Sequence, residues 1–202
     1  MQILDLPNGY YELPQGKLAN VATFLDMKAL PTRPLVPFPH SLKLQKVDAT
    51  DLNTYRSWFK AVGEDLMWFS RIIMPDENLR AILSDPDVES FALMQGGEFC
   101  GLLELDFRNH PECELAFFGL VPGKVGSGLG RALMDEALRR AWSKPVTRLI
   151  VHTCTFDHPA AFPFYLRSGF TPRAITVEFH DDPRLAGKLP LTASPHVALL
   201  KP

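Results

Sequence analysis

Several features that mark whole classes of protein are missing from this 202-residue sequence. It has no block of Lys or Arg, and 21 basic side chains stand against 23 acidic ones for a formal net charge of −2. A nucleic-acid binder needs a concentrated positive face to displace counterions, so no nucleic-acid partner is expected. No apolar run approaches the ~20 residues that cross a bilayer, so no membrane partner is expected either. The first residues, MQILDLPNGYYELPQG, offer neither a basic start nor an apolar stretch, and no secretory signal is read there. Cysteine is scarce: Cys100, Cys113 and Cys154 are far apart and form no CxxC pair. An odd, scattered set fits reduced thiols in a cytoplasmic protein rather than a disulfide framework. The six histidines lack the spacing of a metal site, so no metal is expected.

What is present is ordinary for a globular domain, 46% apolar and 22% charged residues. The 18 prolines crowd both ends, and those at 31, 34, 37 and 39 forbid a helix there. Residues 1–40 therefore read as a partly extended N-terminal extension, with one strand over Val21–Met27, able to cover a sheet edge or make dimer contacts. A strand over Ser41–Lys46 follows, then a helix capped by Thr50-Asp51 and running to about Val62. Leu66–Met74 is too apolar for an exposed loop, and Asp76–Leu83 reads as a second helix. Three strands come next, Val88–Met94, Phe99–Phe107 and Glu112–Val121, the first two joined by a hairpin turn at Gln95-Gly96-Gly97-Glu98. The clearest helix is Leu129–Trp142, with a broad apolar face and the pairs Asp135/Arg139 and Glu136/Arg140 on the other side. Arg148–Thr155 is a buried strand and Pro159–Ser168 a short helix stopped by Gly169. Pro163 is expected to tighten that helix. Thr171–Phe179 is the last strand, and 181–202 a tail packed on the domain. The order is α+β with one mixed sheet, not the alternating pattern of a doubly wound dinucleotide fold.

Chemistry concentrates in Glu112–Phe170. A buried strand runs into Gly126-Ser127-Gly128-Leu129-Gly130, and the strong helix starts at once. Glycines let backbone N–H groups approach a ligand, and a helix N-terminus favours an anion, so the local expectation is a pyrophosphate site. A Walker A loop is excluded, because Leu129 and Gly130 stand where Lys and Ser/Thr are needed after Gly123 and Gly128. A GxGxxG loop fails because Arg131 and Leu133 occupy the third glycine's place in the two possible registers. A GxSxG elbow fails at Val125 and Leu129.

The stretch Val125-Gly126-Ser127-Gly128-Leu129-Gly130 resembles the Q/R-x-x-G-x-G/A signature of the GCN5-related N-acetyltransferase (GNAT) family, with Val125 in the place of Gln/Arg. Downstream, His158-Pro159-Ala160-Ala161-Phe162-Pro163-Phe164-Tyr165-Leu166-Arg167-Ser168-Gly169-Phe170 is similar to the family's N-x-x-A-x-x-x-Y-x-x-x-G-F, differing at the initial Asn. Glu114-Leu115-Ala116-Phe117 resembles the E-[IL]-x-F run of its histone-type members. The three keep the family's order and spacing. The resemblance covers about 41–180, and it implies a GNAT-type mixed, mostly antiparallel central sheet flanked by helices. It also implies a V-shaped splay between the fourth and fifth core strands, Glu112–Val121 and Arg148–Thr155.

It further implies acetyl-CoA as acyl donor, its pyrophosphate on amides of Gly126, Ser127, Gly128, Leu129, Gly130 and Arg131. The pantetheine arm would pair with backbone of Leu120 and Val121, and His158 and Ala161 would also approach the coenzyme. Glu114 is the candidate general base, through water, with Glu104 and Asp106 behind it. Tyr165 is the candidate acid for the leaving thiolate. Transfer would be direct, with Cys113 and Cys154 as packing residues. His152 reads as a core residue, and His158 as a helix cap or a coenzyme contact. Trp68, Phe69 and Arg71, with Glu104, would wall the acceptor site, Arg71 meeting a carboxylate. The expected activity is acetyl transfer to a primary amine of a small-molecule or peptide acceptor, by a monomer or homodimer. The rivals are a non-catalytic acyl-CoA-binding or regulatory module on the same fold, and an interaction protein that keeps the fold without ligand.

Overall fold

The computed structural model describes residue 3 and residues 5–200. β1 (Lys17–Met27) is followed by the proline-bearing stretch and by β2 (Leu42–Lys46). α1 (Leu52–Gly63) begins where the Asp51 carboxylate accepts the Thr54 amide at 3.1 Å, a cap worth about 1 kcal/mol. The apolar run after it folds into a 3-10 turn over Glu64–Leu66 and the one-turn helix α2 (Ser70–Ile73). α3 (Asp76–Ser84) leads to the hairpin of β3 (Val88–Gln95) and β4 (Glu98–Asp106), with Gly96 and Gly97 at φ 59° and 87° as its turn requires. β5 (Glu112–Leu120), α4 (Leu129–Ala141), β6 (Arg148–Cys154), α5 (Ala161–Ser168) and β7 (Thr171–Asp181) complete the order.

The seven strands form one sheet in the order β2-β3-β4-β5-β6-β1-β7. Every neighbouring pair is antiparallel except β5–β6, which is parallel. α1 and α3 cover one face, where Tyr55, Phe59, Val62, Leu79 and Leu83 close on Leu102. α4 and α5 cover the other, packing Leu133, Leu138 and Tyr165 against Leu103, Leu115, Leu149 and Val151. On α4, Leu133, Met134 and Leu138 are all fully buried, and each contributes about 1.5–3 kcal/mol. This is the mixed, mostly antiparallel α+β sheet the sequence implied.

Three local outcomes differ from the sequence reading. β1 is an interior strand: it pairs with β6 along Ala22–Met27 and with β7 along Lys17–Asp26, so the sheet edges are β2 and β7. Leu25 and Met27 sit in the core, which is why the segment is drawn in rather than laid over an edge. Pro163 does not distort α5, because the helix starts at Ala161 and its first turn has no intrahelical use for that amide. Asp135 does not pair with Arg139. It is fully buried and accepts Arg33 through both oxygens (2.6 and 3.1 Å), the Val36 amide (2.8 Å) and Arg131 (3.2 Å). The proline-rich stretch is thereby strapped to α4. Glu136 does pair with Arg140, at 3.0 Å.

The C-terminal segment packs on the end of the sheet where β6 finishes. Leu189 and Ala193 join Met67 and Phe156 in a small core. Arg184 holds Asp182 (2.8 Å) and donates to the carbonyls of Ala193, Val197 and Ala198, and Ser194 donates to the Asp65 carbonyl at 2.8 Å.

Candidate active site

The site grows from a divergence of two strands. β5 and β6 pair at only three positions, Glu112↔Arg148, Cys113↔Leu149 and Glu114↔Ile150. Beyond them β5 runs on to Leu120 and β6 to Cys154 with no pairing between them among the described residues. Arg148 holds the closed end, bonded to Glu112 and 3.7 Å from Asp26 of β1. On β5 a bulge at Ala116 puts Leu115 opposite Leu105 and Phe117 opposite Glu104. Sequence reasoning missed this bulge, and no residue there signals it.

The same strand decides which backbone groups face the gap. The Val121 amide donates to the Cys100 carbonyl at 2.9 Å, and the Val121 carbonyl accepts Lys124, so Val121 is committed to the protein. Leu120 pairs with Gly101, and alternation along an antiparallel ladder turns its N–H and C=O away from β4, into the gap. Phe118, opposite Leu103, has the same orientation. Of the two residues read as pantetheine partners, only Leu120 therefore presents free backbone to the gap.

The glycine loop follows a 3-10 turn over Pro122–Lys124. Gly126 and Gly128 lie at φ 83° and 85°, the left-handed region that a side chain strains to enter. Two of the six expected amides are already used: Ser127 donates to Lys124 at 3.4 Å and Arg131 to Gly128 at 3.1 Å. Among the described residues the amides of Gly126, Gly128, Leu129 and Gly130 have no acceptor, and α4 has no side-chain cap. The Ser127 hydroxyl turns back to the Lys124 carbonyl at 2.6 Å. Arg131, engaged with Asp135, leaves the helix start positive. Four N–H groups without acceptors at the positive end of a 13-residue helix are an arrangement suited to an anion. Val125, where the family has a polar side chain, is 47% exposed.

Two side chains read as acid and base flank the gap on opposite faces of the sheet. Tyr165 of α5 lies against Phe118, Phe164 and Phe170 at ring distances of 6.4, 5.9 and 5.8 Å. Burial, then the charge of Asp157, pushes its hydroxyl well above the ordinary tyrosine range, so it keeps its proton at neutral pH. That hydroxyl has no hydrogen-bond partner among the described residues. Glu114, on the α1 side of the sheet, stands 3.6 Å from His152, and both side chains are 46% exposed. His152, read as a core residue, is thus a surface one. A depression of about 280 Å³ lies beside them at the closed end, lined by Asp106, Arg108, Glu112, Glu114 and Ile150 among others.

The remaining candidates have structural partners. Glu104 is fully buried, accepting Arg71 at 2.5 Å and the Tyr55 hydroxyl at 3.1 Å. Arg71 is buried too, its guanidinium 5.1 Å over the Phe117 ring. Neither is free to meet an acceptor, which corrects the reading of Arg71 as a carboxylate anchor and of Glu104 as a reserve base. The spacing of 33 residues between them left the pairing invisible in the sequence. Asp106 is held by Arg108 at 2.5 Å. Trp68 packs on Phe59 and Phe117 and donates to Asp157 at 3.3 Å, bridging the open end of the gap on the α1 side of the sheet. Phe69 sits against His180 and the small tail core that covers the end of β6. His158 caps the turn before α5, its Nδ1 accepting the Ala160 amide at 3.1 Å, and Ala161 is half-buried beside Phe164. Burial pushes the thiols of Cys113 and Cys154 up to about 12 and about 11, too high for a thiolate nucleophile at neutral pH. No group of three metal-ligating side chains is assembled among the described residues, and no helix there is long and apolar enough to cross a membrane.

A mixed, mostly antiparallel open sheet flanked by helices on both faces is the fold of GCN5-related N-acetyltransferases. The acetyltransferase (GNAT) family model matches residues 54–170, more than half of the chain, and the chain belongs to that family. No curated protein matches. Solved structures share the fold. A GCN5-related N-acetyltransferase from Sphaerobacter thermophilus superposes with TM-score 0.60 at 15% identity, covering 81% of this chain and 52% of that one. A functionally unknown conserved protein from Staphylococcus epidermidis gives 0.54 at 16%, with coverage of 81% and 62%. The aminoglycoside acetyltransferase meta-AAC0020 from an uncultured soil metagenomic sample, solved with sisomicin, gives 0.54 at 18%, with coverage of 70% and 96%. The chain thus spans about half to three fifths of the length of the first two.

Proposed function

We propose that this protein is an acetyl-CoA-dependent N-acetyltransferase acting on a primary amine of a small-molecule or peptide acceptor. The observation that carries the reading is the set of four unspent amides at Gly126, Gly128, Leu129 and Gly130 next to the unpaired edge of β5. They fit the coenzyme's pyrophosphate, and Leu120 offers backbone to its pantetheine arm as an added strand would. The bound thioester would then point into the gap between Tyr165 and Glu114.

The chemistry asks for two proton movements. An alkylammonium of pKa ~10.4 must lose a proton before it attacks, at a cost of about 4–5 kcal/mol at pH 7. Glu114 supplies the carboxylate on whose side that proton leaves. The departing thiolate needs a donor, and Tyr165, protonated at neutral pH and packed on Phe118 of the gap-facing strand, serves as that acid. The exposed side at Glu114 and Trp68 receives the acceptor. An aminoglycoside-like amine is the first class to try, since a fold neighbour is an aminoglycoside acetyltransferase.

Release of free thiol from acetyl-CoA against a library of amines tests the reading, run beside Tyr165→Phe. Transfer that falls about 10²-fold or more in the variant, with coenzyme affinity unchanged, supports it. Val125 favours a second reading, a coenzyme-binding module without transfer, because the polar contact of the family signature is missing. That reading requires coenzyme binding and no amine-dependent thiol release.

A further inference from the structure

We infer that His152 is the group that takes the acceptor's proton, and that Glu114 acts through it as a positioning residue; this rests on the acetyl-transfer reading above. Ile150 is the last residue of β6 paired with β5, opposite Glu114. Side chains alternate along a strand, so His152 faces the same side as Ile150 and Glu114, two residues into the unpaired stretch. That places it past the closed end, level with the β5 bulge, on the face opposite Tyr165. Base and acid then stand on opposite faces of the sheet, one for the incoming nitrogen and one for the departing sulfur.

The surroundings of the imidazole fit the role. Its Nδ1 is 3.6 Å from Glu114 Oε1, and Glu114 has no other side-chain partner among the described residues. On the other side the Phe24 ring of β1 lies 5.2 Å away at 30°, fixing the plane of the imidazole. With Nδ1 turned to the carboxylate, Nε2 is left for an incoming amine. The charged groups that face the ring are Glu114 from β5, Asp157 from the turn after β6 and Glu178 from β7. Asp157 is occupied by Thr153, Cys154 and Trp68, and Glu178 by Asn20, which leaves Glu114 as the free orienting carboxylate. The Glu114 contact, with Asp157 and Glu178 adding, holds His152 above its ordinary value against the opposing effect of burial. An imidazole raised in this way, with its far nitrogen open to solvent, can accept a proton from an incoming ammonium and pass it on.

The step balances without a further reagent. The acceptor ammonium gives one proton to His152 Nε2, and the free amine attacks the thioester carbonyl. The C–N bond forms as the C–S bond breaks, and the sulfur takes the Tyr165 proton. Tyr165 recovers its proton from the second one shed by the new amide nitrogen, and His152 releases its own to solvent. The products are an acetamide, free coenzyme thiol and one proton.

The test follows kcat/KM between about pH 5 and pH 9 for the full chain, with acetyl-CoA and three amines (spermidine, a deoxystreptamine aminoglycoside and an alanyl peptide). The titration of the His152 ring is followed by NMR in parallel, assigned with His152→Gln. The expected result is an acid limb at the same pH as the ring titration, above 6.5. Glu114→Gln moves limb and ring titration together to lower pH. His152→Gln removes the limb and lowers kcat/KM about 10²–10⁴-fold. If His152→Gln keeps both the limb and the rate, or if Glu114→Gln moves the ring titration but not the limb, the assignment is overturned while the transferase reading stands. If the wild type binds coenzyme and releases no thiol with any amine, the transferase reading fails and the assignment with it.

Discussion

Replacing Arg71 by methionine separates a structural role for this side chain from a substrate-binding one. The guanidinium lies 2.5 Å from Glu104, with side chains 9% and 0% exposed, and the Tyr55 hydroxyl supplies the second bond to the carboxylate. Removing one partner of a pair so deeply desolvated strands the other, at about 3–5 kcal/mol. Arg71 also donates to Met74 and lies over Phe117, so methionine, close in length and apolar, keeps the packing and removes only the charge. A domain with about 5–15 kcal/mol of total stability would lose about a fifth of it or more. Urea unfolding at neutral pH, with the midpoint and slope compared, reads that loss. The double variant Arg71→Met with Glu104→Leu should recover most of it, because no buried charge is then left alone. If Arg71→Met unfolds within about 1 kcal/mol of wild type and instead raises the KM of carboxylate-bearing amines, the reasoning is refuted and Arg71 is a substrate anchor.

Other consequences follow from the same contacts. Gly128→Ala forces a Cβ into φ 85°, a strain of about 1–2 kcal/mol, and should weaken coenzyme binding at least tenfold by calorimetry while leaving the far-ultraviolet spectrum unchanged. Burial alone would push the Asp135 carboxyl up, but the bonds from Arg33, Val36 and Arg131 outweigh it and hold the group below its usual range. A depressed carboxyl stabilises above its unfolded value of ~3.9 and loses that contribution as pH falls through the folded one. The gap in unfolding free energy between wild type and Asp135→Asn should therefore be widest above about pH 5 and close toward acid; a gap independent of pH would contradict the assignment. Deleting residues 1–28 removes the strand between β6 and β7, so the remaining chain should fail to fold cooperatively by calorimetry, and a normal melt would show β1 to be dispensable.

How far the sequence could be read depended on the range of the interaction. Local signals held: the Gly96-Gly97 turn, the Asp51 cap, Gly169 ending α5 at φ 109°, and the glycine-helix junction all act within a few residues. Pairings across the chain were not legible. β1 shows an extended segment but not its neighbours, and those lie more than 120 residues away, at Leu149–Cys154 and Thr171–Asp181. Glu104 reads as a strand carboxylate in reserve behind Glu114, yet Tyr55 and Arg71 reach it from two different helices. The loop was identified from glycine spacing, but which amides stay unspent depends on backbone turns, and Ser127 and Arg131 turned out to be engaged. His152 was misplaced for a related reason. A strand flanked by Val151 and Thr153 reads as buried, whereas the face opposite those residues is uncovered where β6 leaves β5.

Everything proposed for the site depends on backbone amides at the start of α4 holding the coenzyme's diphosphate. Amide proton–nitrogen spectra of the full chain titrated with coenzyme A test it most directly. Saturable shifts are expected at Gly126, Gly128, Leu129 and Gly130, larger than those at Ser127 and Arg131, and none with pantetheine, which lacks the diphosphate. Coenzyme that binds without moving those four resonances, or pantetheine that moves them equally, would contradict it.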